Sequence, residues 1–153
     1  MTSLFRSAFA EVISPFLRRP PQLQVAALCY RDRKNGREVM LVTSSKGRWI
    51  LPKGWPVDGL GAAEAAIQEA WEEGGVQKAT TNPEAIGSYS SLKQFNSGAT
   101  ANCETSVYTA RVFKLANDYP EADRRKRRWV SPQVAAEMVT DDGLRDILLE
   151  FCD

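Results

Sequence analysis

The chain of 153 residues contains no histidine. Ser-His and Cys-His nucleophilic machinery is thereby excluded, as is every histidine metal site. Cysteine is sparse. Cys29, Cys103 and Cys152 lie far apart and none forms a C-x-x-C pair, so neither a zinc site nor a disulfide framework is indicated. A reducing cytoplasm is the expected compartment. Neither sign of charge is in excess, with 20 Lys and Arg against 19 Asp and Glu. Any attraction to nucleic acid or to a membrane must therefore come from a local patch. Long apolar runs are missing as well. Arg6, Glu11 and Pro15 interrupt the first segment, so neither a signal peptide nor a membrane span is expected there, and residues 1–20 read as an arm packed on the domain. An enzyme made from what remains must do its proton work with carboxylates, lysines or a bound metal.

What is present reads as one mixed α/β domain over residues 21–153, entered after the break at Pro20-Pro21. Residues 24–30 (QVAALCY) have the continuous apolar character of a buried strand. Asn35-Gly36 is a hairpin turn leading to a partner strand over 39–45. The glycine- and proline-rich segment 46–61 is a long structured loop, a class of segment that usually carries function. The pattern then predicts a helix over 62–73 ended by Gly74-Gly75. Strands are expected over 85–92 and 104–115, with a short one ending at Val130. Ser131-Pro132 starts a helix over 132–139, and a last helix covers 142–151. Strands and helices mix without strict alternation, which argues a mixed sheet flanked by helices.

The helix over 62–73 is unusual at its end. Glu69, Glu72 and Glu73 fall within one narrow arc at ~100° per residue. No Lys or Arg stands three or four residues away on the same helix to pair with them. They also sit where the helix dipole disfavours acids, at a cost of ~0.3–1 kcal/mol for each unfavourable position. A divalent cation removes both problems, and carboxylates are the preferred ligands of Mg²⁺ or Mn²⁺. The preceding LPKGWPVDGLG supplies small residues that let backbone approach a ligand, with Lys53 beside Gly54 to meet a phosphate oxygen.

Gly54 to Val76 resembles the Nudix box, G-x5-E-x7-R-E-U-x-E-E-x-G-U with U apolar. Gly54 matches the leading glycine, and Glu69, Ala70, Glu72, Glu73, Gly75 and Val76 match the second half. The resemblance implies an α/β/α sandwich with a mixed central sheet and a catalytic loop-helix. It further implies hydrolysis of a nucleoside diphosphate linked to another moiety, or of a related pyrophosphate, with Mg²⁺ or Mn²⁺. By the same resemblance Glu69 and Glu73 are metal ligands, Glu72 ligates metal or takes the proton from water, and the Gly54 carbonyl is a further ligand. The catalytic assignment thus falls on Glu69 and Glu72. A downstream acid is also implied; Glu121 is the choice, from its place in YPEADRRKRRWV, with Glu104 and Asp118 as competitors. Two positions depart from the pattern: Leu60 stands for the usual glutamate and Gln68 for the usual arginine. Losing both leaves no stranded charge.

The flanking segments ALCYRDR, LVTSSKGRWILPKG and RKRRW resemble the diphosphoinositol polyphosphate and diadenosine polyphosphate hydrolases. That likeness implies a small polyphosphate substrate, and no membrane partner. Ser44, Ser45, Lys46 and Arg48 would lie at the substrate phosphates, with Arg31, Lys53, Arg125 and Arg127 adding positive charge. Relatives that take inositol pyrophosphates carry basic residues before the first strand, where this chain has Gln22, Leu23 and Gln24. Trp49, Trp55 and Tyr89 are candidates to stack on an adenine or to pack in the core. Two alternatives stay open: an RNA 5′-end pyrophosphohydrolase using the basic run 124–128, and a weakened Nudix domain that only binds a polyphosphate.

Overall fold

The structure is a computed structural model and describes residues 22–95 and 97–152. The arm expected over residues 1–20 lies outside the described residues. Eight strands form one mixed sheet: β1 (Gln22–Arg33), β2 (Gly36–Thr43), β3 (Trp49–Ile50), β4 (Lys53–Gly54), β5 (Val76–Thr81), β6 (Gly87–Gln94), β7 (Thr100–Leu115) and β8 (Arg127–Val130). Among the described residues three helices flank it: α1 (Ala62–Gly74), α2 (Pro132–Met138) and α3 (Asp142–Glu150).

The strand VAALC inside β1 is buried on both faces, which is why it reads as an unbroken apolar run. Its alternate residues serve two cores. Val25, Ala27 and Cys29 pack with Met40, Val42 and the alanines of α1. Ala26 and Leu28 pack with Leu41, Val107 and the buried faces of α2 and α3, through Ala135, Leu144 and Leu148. These two cores give the α/β/α sandwich. β1 pairs in parallel with β7 from Gln22↔Cys103 to Tyr30↔Arg111, and antiparallel with β2 across the turn at Lys34-Asn35.

The expected helices and hairpin are present. β5, made of Val76, Gln77, Lys78 and the following threonines, was not expected. Only Val76 in it is fully buried, and it pairs as an edge strand with β7 through irregular register, so it lacks clean alternation. Within the long loop, β3 and β4 are two-residue strands that pin the loop to β2 and β1. The stretch between the strands expected over 85–92 and 104–115 is shorter than those bounds imply, because β6 extends to Gln94 and β7 begins at Thr100. Among the described residues no helix is long and apolar enough to cross a membrane.

Candidate active site

α1 is held against the sheet by small residues. Ala63, Ala65, Ala66 and Ala70 are buried, and a side chain at Gly74 would run into the Met40 methyl group. The Glu64 carboxylate accepts from the Gly61 N–H at 2.8 Å and fixes the start of the helix. Gly75 ends it at φ 72°, donating to the carbonyls of Ala70 and Trp71.

This geometry brings the acids to one place. β4 lies beside the last turns of α1, and a Cβ at Gly54 would meet the Glu69 carboxylate and displace it from its present position. Glu73, only 5% exposed, accepts from the Lys53 N–H at 3.3 Å. Glu69 and Glu73 stand one turn apart on the helix, and the charge of Glu69 adds to the upward shift of Glu73. Burial pushes Glu69 upward, with the charges of Glu72 and Glu121 adding to the rise. Burial also pushes Glu73 up to about 8, against the pull of the Arg125 guanidinium. Glu72 accepts from the Gln68 side chain at 3.1 Å. Gln68, standing where an arginine was expected, therefore still orients an acid of the cluster.

The segment after β7 folds back over the end of α1. The Glu121 N–H donates to the Glu72 carbonyl at 3.0 Å. The Glu121 carboxylate is held by Arg125 Nε at 2.5 Å. Arg125 also lies 3.6 Å from Glu73 and donates to the Thr43 carbonyl at 2.7 Å. The three helix acids, unpaired along their own helix, thus receive one cation from a distant segment. Of the competitors for the downstream ligand, Glu104 is occupied on the sheet by the hydroxyls of Ser88 and Ser90 at 2.9 and 2.7 Å, and Asp118 is exposed. Glu121 is the acid whose charge reaches both Glu69 and Glu73.

Two of the eight expected substrate contacts stand elsewhere. Arg127 donates to the carbonyls of Gly74 at 2.8 Å and Ala116 at 2.7 Å and stacks over Tyr119. It supplies the positive charge that the end of α1 lacks in its own sequence. Arg31 is paired with Glu38 at 2.8 Å and stacked over Trp129 at 4.0 Å, beside the ends of β1 and β7 rather than at the acids. Arg31 follows Cys29 on the α1 face of β1, and Arg127 pairs with Val42 on that same face, so their positions along the sheet and not strand alternation keep them from the cleft.

The other six, Ser44, Ser45, Lys46, Arg48, Lys53 and Arg125, line one cleft of about 580 Å³ that reaches Glu73. The Ser44 hydroxyl accepts from the N–H groups of Lys46 and Arg48 at 3.3 and 3.1 Å, so it shapes the turn that presents those cations. The cleft adds residues that no local motif marks: Gln24 from β1, Lys93 from β6 and Asp141 at the start of α3. Five cations, Lys46, Arg48, Lys53, Lys93 and Arg125, face two acids, Glu73 and Asp141. Burial lowers the Lys53 ammonium from its ordinary value, with Asp141 opposing that shift. Of the aromatic candidates, Tyr89 is buried in the core beneath α2 and α3 and Trp49 packs on that core. Trp55 is exposed, with the Lys93 ammonium 5.8 Å from its ring.

A divalent cation suits this donor set. Hard oxygen ligands, two carboxyls both pushed upward by burial, and a glycine cradle already filled by the Glu69 carboxylate are what such an ion would organise. Among the described residues, no three acids converge closely enough to form a ready-made cage. Glu69, Glu72, Glu73, Glu121 and the Gly54 carbonyl would hold the ion, with Arg125 yielding its place beside Glu73.

The fold and the site have relatives. A NUDIX domain model matches residues 21–151. The chain is 31% identical over 121 residues to the mitochondrial Nudix hydrolase 16 of Arabidopsis thaliana, covering 75% of this chain and 66% of that one. It is 30% identical over 120 residues to human diphosphoinositol polyphosphate phosphohydrolase 3-alpha, covering 76% and 68%. The chain spans slightly less than two thirds of the length of the plant relatives it matches. Among solved structures, the C. elegans Ap4A hydrolase superposes with a TM-score of 0.59 at 18% identity, over 85% of this chain and 94% of that one. With its box of glutamates on α1 and a family match across nearly all the described residues, this chain belongs to the Nudix family.

Proposed function

We propose that this protein is a metal-dependent phosphoanhydride hydrolase acting on a small polyphosphorylated molecule. The observation that carries the reading is a junction. The acidic cluster of Glu69, Glu73 and Glu121 meets a cleft with five cations at Glu73 and Arg125. A polyphosphate lying along Lys46, Arg48, Lys53 and Lys93 would bring one anhydride to the acids. Mg²⁺ or Mn²⁺, when bound there, would neutralise the phosphate oxygens and activate water. The residues of the chain do the rest. The Ser44 turn presents its backbone-anchored cations, Lys53 meets a phosphate oxygen, and Glu72, oriented by Gln68, stands as the candidate acceptor for the water's proton. The likeness to diphosphoinositol polyphosphate and Ap4A hydrolases supports a substrate of several linked phosphates.

The test is phosphate release with Mg²⁺ and with Mn²⁺ from diadenosine polyphosphates, a diphosphoinositol polyphosphate, nucleoside triphosphates and a 5′-triphosphorylated RNA, with Glu73→Gln beside the wild type. Turnover of a small polyphosphate that disappears in the variant is the expected result. Equal turnover in the variant, or turnover of the RNA alone, would overturn the reading.

A further inference from the structure

We propose that the end of the sheet remote from the cleft is a docking surface for single-stranded RNA, centred on Phe113. The inference goes beyond the hydrolase reading and does not depend on it.

A chain with a net charge of +1 attracts a polyanion only through a local patch. One stands where β1 turns into β2. Beside the pair of Arg31 with Glu38, the ends of β1 and β7, the start of β2 and the edge strand β5 carry Arg33, Lys34, Arg37, Lys78, Arg111 and Lys114, and one further acid, Asp32. Register makes them neighbours. Arg37 stands opposite Asp32, Arg111 opposite both Tyr30 and Thr80, and Lys78 opposite Lys114. Among the described residues Lys34, Lys78 and Lys114 have no carboxylate partner. Like charges directly opposed, as in Lys78 and Lys114, are destabilising, and a bound anion relieves them. The cleft is distant, because the run of β1 from Gln24 to Arg31 spans about 23 Å.

Phe113 decides the kind of anion. It shares a face of β7 with Arg111 and with Val107, which packs beneath α2 and α3. The helices do not reach Phe113, which is 57% exposed, with the Arg111 guanidinium 6.0 Å from its ring. The two line a hollow of about 350 Å³ together with Arg33 and Lys114. A single strand uses every part of this surface: its phosphates meet the cations and an unstacked base lies on the ring. An acidic peptide would meet the cations and leave the ring without a role, and a duplex has no free base face to offer. Asp32 favours ribose. Its Oδ1 accepts from Arg37 at 2.9 Å, while Arg111 comes no closer than 3.9 Å to Oδ2. A 2′-hydroxyl is a donor for that oxygen, and deoxyribose has none.

The experiment is fluorescence anisotropy in EDTA with a 3′-labelled single-stranded RNA decamer that begins with a 5′-hydroxyl. It compares the wild type, Phe113→Ala, Lys78→Gln with Lys114→Gln, and a cleft variant, Arg48→Gln with Lys93→Gln. The expected result is binding by the wild type and the cleft variant alike, and an affinity about tenfold lower in Phe113→Ala. In the Lys78 and Lys114 double variant the slope of log affinity against log salt should be shallower by about 1.4. No binding by the wild type, full affinity in Phe113→Ala or an unchanged salt slope would overturn the proposal. A loss confined to the cleft variant would overturn it too, by placing the RNA at the acids. Equal affinity for polyglutamate, for duplex RNA or for the DNA decamer would reject the assignment to single-stranded RNA. Should Phe113→Ala fail to fold, Phe113→Leu, which keeps apolar bulk without a stacking face, reads the same loss, and Phe113→Trp should restore binding.

Discussion

Replacing Glu73 by glutamine tests whether the acid cluster is built for a cation or for Arg125. In the metal-free protein, burial and the neighbouring Glu69 charge move the Glu73 carboxyl from near 4.5 to about 8, despite Arg125. A carboxyl raised on folding contributes stability that is complete below about 4.5 and lost as pH rises through about 8. The ceiling on that loss is about 5 kcal/mol. Because Glu69 and Glu73 titrate together, part of the cost falls on the pair, and about 2 kcal/mol is the expected share relieved by the substitution. Glutamine keeps an acceptor for the Lys53 N–H. Arg125 keeps Glu121 at 2.5 Å and the Thr43 carbonyl, so it is not stranded. Glu73→Gln should therefore melt higher than the wild type at pH 8 in EDTA, by ~4–8 °C for a chain of this size. At pH 5 the two should melt alike. Adding Mg²⁺ or Mn²⁺ at pH 8 should raise the wild type and leave the variant nearly unmoved, reversing their order. A variant less stable than the wild type at pH 8 in EDTA would refute the reasoning. It would mean that the 3.6 Å contact with Arg125 outweighs desolvation and that the cluster is already neutralised.

Three further outcomes follow from the geometry around α1. Gly54→Ala puts a methyl group onto the Glu69 carboxylate; since that side chain can swing aside, kcat/KM should fall at least about tenfold while Tm changes little, and retained activity would remove Glu69 from the site. Arg127→Met leaves the Gly74 and Ala116 carbonyls without their donor and should cost about 2–3 kcal/mol in urea unfolding. If Arg127 instead contacted substrate, KM would rise with stability unchanged. Gly75→Ala is opposed by a φ of 72° and by the Ala116 carbonyl 2.8 Å from the new Cβ; it should lose at least about 2 kcal/mol and unfold the end of α1 first, visible as faster amide exchange over residues 70–74.

The α1 acids were legible because their chemistry is local. Gly54, Glu69, Glu72 and Glu73 sit within twenty residues, and a glycine pair ends the helix that carries three of them. The two cores of the sandwich were legible for the same reason, since VAALC and the alanines of α1 announce burial directly. What the sequence could not show is the direction of side chains brought from afar. Arg125 and Arg127 sit in one basic run and looked equivalent. One faces the acids and the other caps the helix beneath them, and only the return of the chain over α1 decides which does which. The same holds for Gln24, Lys93 and Asp141, which come to the cleft from β1, β6 and α3 with no shared motif.

That division bears on the two departures from the family pattern. Judged by sequence, Leu60 and Gln68 keep open the alternative of a weakened site, because a pair of charges is gone. In the folded chain the positive charge at the helix end comes from Arg127, the cation among the acids comes from Arg125, and Gln68 still holds Glu72 at 3.1 Å. Leu60 stands 38% exposed before the helix, so no buried glutamate has lost its arginine there. Restoring the pair as Leu60→Glu with Gln68→Arg should then leave kcat/KM within about threefold of the wild type, as an exposed ion pair contributes about 0–1 kcal/mol. A rise of a hundredfold in the double variant would show that the orienting work attributed to Gln68, Arg125 and Arg127 is not being done.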